Sequence, residues 1–348
     1  MNRLRALWSS LSPIKRAAAI GCSVVALFII IQLLTVIKGV RWWESGYYEY
    51  PVWSPGGERV LYLFGERAAE GRQLVITRRP GNLLSPFTLR RITLPEQQLS
   101  VPAWRSEDEV SVFTRRGSIS ITGSGWLAYR AHLYLYNLRT DSYRVVEAPL
   151  SGPEGAAWHP SGSYALFSMS EWDEEGRAGI YKFRPDEGVF VLWREATLPS
   201  SIAFSPDGEQ VAYLDLIEVE GQKRTHLIVA ETATRKVKVF KQLGDTTDTE
   251  RWEVFNDTGL SWSADGSLFL MMGTRMTNRQ SLFYNVQKGF FCMGIEGHGD
   301  LTFSPRSSSL DFFDWSPDGS TVVASTVPRP FIGKNTLRTV TPPRECSN

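Results

Sequence analysis

The pentapeptides Phe204-Ser-Pro-Asp-Gly208 and Trp315-Ser-Pro-Asp-Gly319 decide the fold. Each is an aromatic residue followed by a tight connection between two strands. Proline holds φ near the value that the first corner needs, and aspartate bonds nearby backbone N–H groups. Glycine then takes a positive φ that other residues resist. The pattern returns as Trp53-Ser-Pro-Gly-Gly57, Trp158-His-Pro-Ser-Gly162 and Trp262-Ser-Ala-Asp-Gly266, with Trp104-Arg-Ser-Glu-Asp108 degenerate in the turn but correct in position. Successive aromatic positions lie 51, 54, 46, 58 and 53 residues apart.

Each turn is followed by an apolar or alternating run: RVLYLF, YALFSM, QVAYLDL, LFLMMG and TVVAST. Third and fourth strands follow, clearest in THLIVAET then KVKVF, and in HLYLYNL then YRVVEA. Four short strands per ~50 residues make one propeller blade, and a lone blade cannot bury both faces, so blades stack around an axis. The sequence therefore predicts an all-β chain, a six-bladed β-propeller of four-stranded blades over residues 49–343. The last repeat offers only LDFFDW, TVVASTV and LRTVTP, one strand short. Val40–Tyr48 is the expected closing strand, which would tie the two ends of the ring together. Phe303-Ser-Pro-Arg306 resembles the motif but lies twelve residues before Trp315, and reads as part of an inter-blade loop.

The repeats resemble the PD-type repeats of the TolB family and related WD-like β-propellers. The resemblance covers roughly Gly46 to Pro343. It implies the fold and says little of function, because propellers host many unrelated activities. The separate N-terminal α/β domain of the TolB family has no counterpart here, so that family's partners are not carried over.

Ahead of the repeats, Ala17 to Ile37 contains no charged residue and reads CSVVALFIIIQLLTVI at its core. Twenty-one residues at about 1.5 Å each span roughly 32 Å, the hydrocarbon thickness of a bilayer. A cleaved signal peptide would want a shorter apolar stretch and a small-x-small cleavage site, and the run instead ends in IKGVRWW. Ala19-Ile20-Gly21-Cys22 looks faintly like a lipidation box, but most of the apolar run follows Cys22 rather than preceding it. The reading is one transmembrane helix at 17–37, a cytoplasmic tail at 1–16, a juxtamembrane segment at 38–48 and a short C-terminal tail at 344–348. Arg3, Arg5, Lys15 and Arg16 precede the span without an acid, whereas Lys38 and Arg41 are soon balanced by Glu44 and Glu49. The positive-inside rule then exports the propeller, to the periplasmic side of a bacterial cytoplasmic membrane. Trp42 and Trp43 are membrane-interface candidates, with packing in the first strand as the alternative.

Composition sets further bounds. The chain has 348 residues, a formal net charge of +1 and 22% charged residues, well mixed beyond the first forty positions. That balance argues against a nucleic-acid partner. Three cysteines, Cys22, Cys292 and Cys346, are too few for a disulfide scaffold and lack zinc spacing. Cys292 and Cys346 would both be exported, either as a disulfide pinning the tail or as free thiols.

Chemistry is sparse. His132, His159, His226 and His298 are scattered through different repeats without ligand spacing, and no Gly-x-Ser-x-Gly elbow, phosphate loop or Cys–His signature occurs. No catalytic, metal or cofactor residue is assigned. Tail, span and exported propeller resemble the layout of membrane-bound dipeptidyl peptidases in outline, without the hydrolase domain that carries their catalysis. Two connections carry the residue types enriched at interface hot spots. Arg115–His132 holds Trp126, Tyr129 and Arg130, and Gly244–Gly259 holds Arg251 and Trp252; the alternative is that these rings tuck back onto their blades. The expected function is a non-enzymatic, membrane-tethered scaffold or accessory subunit that binds other membrane or periplasmic proteins and touches lipid through 17–37. The alternative is an enzyme or ligand-binding module with its site in the central channel.

Overall fold

A computed structural model describes residues 46–66, 72–78, 88–95, 98–115, 131–148, 153–169, 177–246, 250–254, 259–277, 285–295, 302–305, 310–326 and 336–343. They form six antiparallel sheets. Blade 1 holds β1 (Gly46–Trp53), β2 (Arg59–Glu66), β3 (Arg72–Arg78) and β4 (Thr88–Ile92). Blade 2 holds β5 (Gln98–Ser106), β6 (Glu109–Arg115), β7 (Ala131–Asn137) and β8 (Ser142–Glu147). Blade 3 holds β9 (Pro153–Trp158), β10 (Ala165–Met169), β11 (Gly179–Arg184) and β12 (Val189–Glu195). Blade 4 holds β13 (Pro199–Phe204), β14 (Gln210–Val219), β15 (Gln222–Glu231) and β16 (Val237–Leu243).

Blade 5 departs from the plain pattern. A two-residue strand β17 (Asp245–Thr246) precedes β18 (Glu250–Val254), β19 (Leu260–Trp262), β20 (Leu268–Thr277), β21 (Asn285–Gly294) and β22 (Thr302–Pro305). β18 and β19 both pair with β20, on its far and near halves, so together they stand where a single inner strand stands elsewhere. Blade 6 shows β23 (Leu310–Trp315), β24 (Val322–Thr326) and β25 (Thr336–Val340), three strands among the described residues.

The aromatic-turn motif is one structure repeated. Ser54, Ser205, Ser263 and Ser316 each donate a backbone N–H to the carbonyl five residues on, and accept at their own carbonyl from the motif glycine's N–H. His159 does the same with Tyr164 and Gly162. In the three Asp-Gly copies the serine hydroxyl donates to the aspartate (Ser205 to Asp207 2.5 Å, Ser263 to Asp265 2.6 Å, Ser316 to Asp318 2.6 Å). Each of these aspartates also accepts the backbone N–H two residues on at 3.0 Å. The glycines sit at φ between 67° and 76°. Gly208 is doubly constrained: it takes φ 76°, and a Cβ there would lie 2.4 Å from His159 Nε2 of the preceding blade.

Six hydrophobic clusters fill the six seams between neighbouring blades. Leu61, Leu99 and Tyr134 belong to the seam of blades 1 and 2; Phe113, Phe167 and Phe183 to blades 2 and 3; Ile180, Trp193 and Tyr213 to blades 3 and 4. Leu227, Phe269 and Met293 follow between blades 4 and 5, and Phe290, Phe313 and Val322 between 5 and 6. The sixth cluster, Trp53, Tyr62, Phe64, Val323 and Leu337, joins blade 6 back to blade 1 and closes the ring.

One expectation is corrected, and others lie wholly or partly outside the described residues. Of the anticipated closing strand, Val40–Ser45 lies outside the described residues, while Gly46, Tyr47 and Tyr48 pair with Glu66, Gly65 and Phe64 as the start of β1. Among the described residues these ends meet through side-chain packing and the hydrogen bond from Trp53 N–H to the Asp314 carboxylate. Phe303-Ser-Pro305 is not loop: it pairs with β21 as the outer strand of blade 5. The expected transmembrane helix at 17–37 and the interface candidates Trp42 and Trp43 lie outside the described residues. Among those described, no helix is long and apolar enough to cross a membrane.

Candidate functional site

The inner strands of all six blades surround a central cavity of about 430 Å³. Their geometry follows from the motif: in five of the six blades the inner strand ends at the aromatic residue, while β5 runs on to Ser106, and the turns with Pro55, Pro160, Pro206, Ala264 and Pro317 rim one mouth. The wall is dominated by small and apolar side chains, and the rings of Tyr50 and Phe312 lie 4.3 Å apart. Among the described lining residues Glu154 and Asp314 are the carboxylates, and none is a histidine, lysine or arginine.

Asp314 is built into the wall rather than offered to the cavity. Its carboxylate accepts Trp53 N–H at 2.8 Å, Ser261 Oγ–H at 3.0 Å and Trp315 N–H at 2.9 Å. One side chain thus ties blade 1, blade 5 and its own blade 6. Although part of the residue borders the channel, burial pushes its carboxyl up to about 6, against the opposing pull of these three hydrogen bonds.

The motif aromatics also stitch blades together. Trp104 donates its indole N–H to Val52 O at 3.1 Å, Trp158 to Ser111 Oγ at 2.8 Å and Trp262 to Ala203 O at 3.1 Å, each reaching the preceding blade. Arg59 lies 5.0 Å over Trp104, and Arg105 5.4 Å over Trp158. Arg59 also pairs with Glu107 across the first seam. Burial would raise the Glu107 carboxyl, but Arg59 and the Gly56 N–H hold it below the usual carboxylate range.

A second cavity, about 370 Å³, opens on the outer rim between blades 3 and 4. Blade 3 contributes Lys182 and Arg184 from β11 and Val189 and Val191 from β12; blade 4 contributes Thr232, Ala233 and Arg235 from the β15–β16 turn. No sequence pattern marked it, because its two walls are some fifty residues apart.

Of the partner-binding candidates, Trp126, Tyr129 and Arg130 lie outside the described residues. The structure places Arg251 and Trp252 in β18, where they pair with Met276 and Arg275. What read as a free connection is there part of a sheet. His159 occupies its turn, stacked on Tyr164, and His226 is buried within β15 with Nδ1 2.9 Å from Arg224 O. Among the described residues no cluster of three or more His, Cys, Asp or Glu is placed to hold a metal ion. Cys292 is buried and disulfide-bonded, with its partner outside the described residues.

No protein-family model matches the chain, and no curated protein matches it in sequence. Solved structures do resemble it. TolB from Acinetobacter baumannii superposes with a TM-score of 0.52 at 18% identity, covering 89% of this chain and 64% of that one. A putative TolB from Agrobacterium tumefaciens gives 0.52 at 14% identity, covering 86% and 91%. An oligogalacturonate lyase in complex with manganese gives 0.54 at 14%, covering 86% and 77%. Likeness at such identities defines the class, a six-bladed β-propeller with TolB proteins among its structural neighbours; it extends to enzymes as well.

Proposed function

We propose that this chain is a non-enzymatic interaction scaffold, tethered to a membrane by residues 17–37 and serving as an accessory subunit of a membrane complex on the exported side. The observation that carries the reading is the central channel. Its wall joins apolar and small side chains to two carboxylates, one of them engaged in three hydrogen bonds within the wall. The outer rim, by contrast, presents apolar and cationic groups to solvent. The TolB-like fold fits an interaction role. The buried disulfide at Cys292 fits an oxidising compartment, and the uncharged run 17–37 fits a membrane span. The test is purification of the full chain from its native membranes in mild detergent, followed by sizing and mass spectrometry. Stoichiometric protein partners are expected; a clean monomer would contradict the subunit role and turn attention to ligands of the channel.

A further inference from the structure

Among the described residues, the groove between blades 3 and 4 carries more cationic than anionic groups. Three cations face it, Lys182, Arg184 and Arg235, against the single carboxylate of Glu187. Arg184 takes that carboxylate at 2.7 Å. Lys182 is held with its ammonium 3.7 Å from the centroid of the Tyr164 ring, and burial together with Arg184 and Arg235 pushes its pKa down. A carboxylate brought into the groove would answer that field.

The groove also has an apolar wall. Val189 and Val191 are 50% and 56% exposed, two residues apart on one side of β12, directly opposite Arg184 and Lys182 in register. β12 is the outermost strand of its sheet. Alternate residues of an extended segment laid along such a strand fall at the same spacing.

Arg235 supplies the independent observation. It ends the β15–β16 turn at φ 62°, with its N–H bonded to Glu231 O at 2.9 Å. The corresponding turn of blade 3 uses Gly188 at φ 67°, bonded in the same way to Arg184 O. Glycine suits this conformation better than a residue with a Cβ. Asp141 holds the same position in blade 2 at φ 56°, so the conformation is shared, and what distinguishes blade 4 is the arginine it places at the mouth of a cationic groove.

We infer that the groove lined by Lys182, Arg235, Val189 and Val191 docks an extended segment of a partner protein, with an Asp or Glu side chain between the two cations and an apolar residue against the valines. This rests on the scaffold reading and names the chemistry of the partner. A cavity of about 370 Å³ is within the range of specific sites.

The test uses the full purified chain and a random octapeptide display library. Selected peptides are expected to carry Asp or Glu with apolar residues at alternate positions. Arg235→Gly, which relieves the turn and keeps the fold, and Lys182→Met, which keeps the stem over Tyr164, should each cut capture of those peptides about tenfold. Peptides without acidic enrichment, or peptides captured equally by both variants, would overturn the docking site. Phosphatidylglycerol vesicles form the second arm. If vesicle binding, and not peptide capture, falls with Arg235→Gly, the groove serves an anionic lipid surface and the inference is wrong. Partners that still co-purify while the library yields nothing would spare the scaffold reading and remove this site alone.

Discussion

Asp314 shows how one buried carboxylate governs a seam. Asp314→Ala strips the acceptor from Trp53 N–H and Ser261 and should cost about 1–3 kcal/mol, read as a lower urea midpoint. Its titration gives a second handle. An unfolded aspartate titrates near ~3.9, whereas this one is raised to about 6. Between those values the folded chain holds a proton that the unfolded chain has released. This contribution is therefore fully present below pH ~4 and is lost as pH rises through about 6, amounting to roughly 3 kcal/mol. Asp314→Asn should remove that part of the pH dependence of Tm; identical slopes for the two proteins from pH 4 to 7 would contradict the assignment. Gly208→Ala should cost about 1–2 kcal/mol through its positive φ and its approach to His159, and His159→Ala should recover part of this in a double-mutant cycle. Additive costs would show that the contact is unimportant.

Among the elements, the strand-turn-strand units were legible because their chemistry is local. Serine, proline, aspartate and glycine act within six residues of one another, so five copies of the turn can be read from sequence alone. β22 was hidden because Phe303-Ser-Pro305 imitates the motif while serving as an outer strand. β18 was hidden because Glu-Arg-Trp-Glu-Val reads as a charged loop until β20 supplies its partner. The groove of Lys182 and Arg235 was illegible for a different reason: it exists only once two blades stand side by side. Its one local clue is a hairpin turn that ends in arginine rather than glycine. The indole bonds give a prediction at this scale. Trp262→Phe keeps the ring packing but leaves Ala203 O without that donor, at about 1 kcal/mol. Trp315→Phe, whose N–H stays within its own turn on Gly319 O at 3.0 Å, should leave the preceding seam intact. Hydrogen exchange of β13 and β14 would separate the two, and equal protection loss in both variants would refute the stitching role.

For the whole molecule, the ring count came from spacing, but the manner of closure did not. Asp314 and Trp53 are 261 residues apart in sequence, and nothing local marks either as a partner. Between the first and last blades the described residues share no strand, so packing and the Asp314 bridge hold that seam. Amides of β1, β24 and β25 are accordingly expected to exchange before those of β10 and β14, and the reverse order would show that this seam is not the weak one. A propeller held together by such seams keeps its rim and its turns exposed around the central cavity. The proposed membrane tether on the exported side is most directly tested by fractionation. The full chain should remain with membranes after alkaline carbonate washing, be digested by protease added outside intact spheroplasts, and be released when residues 17–37 are deleted. A chain washed from the membrane, or protected from external protease until the cells are lysed, would contradict the account.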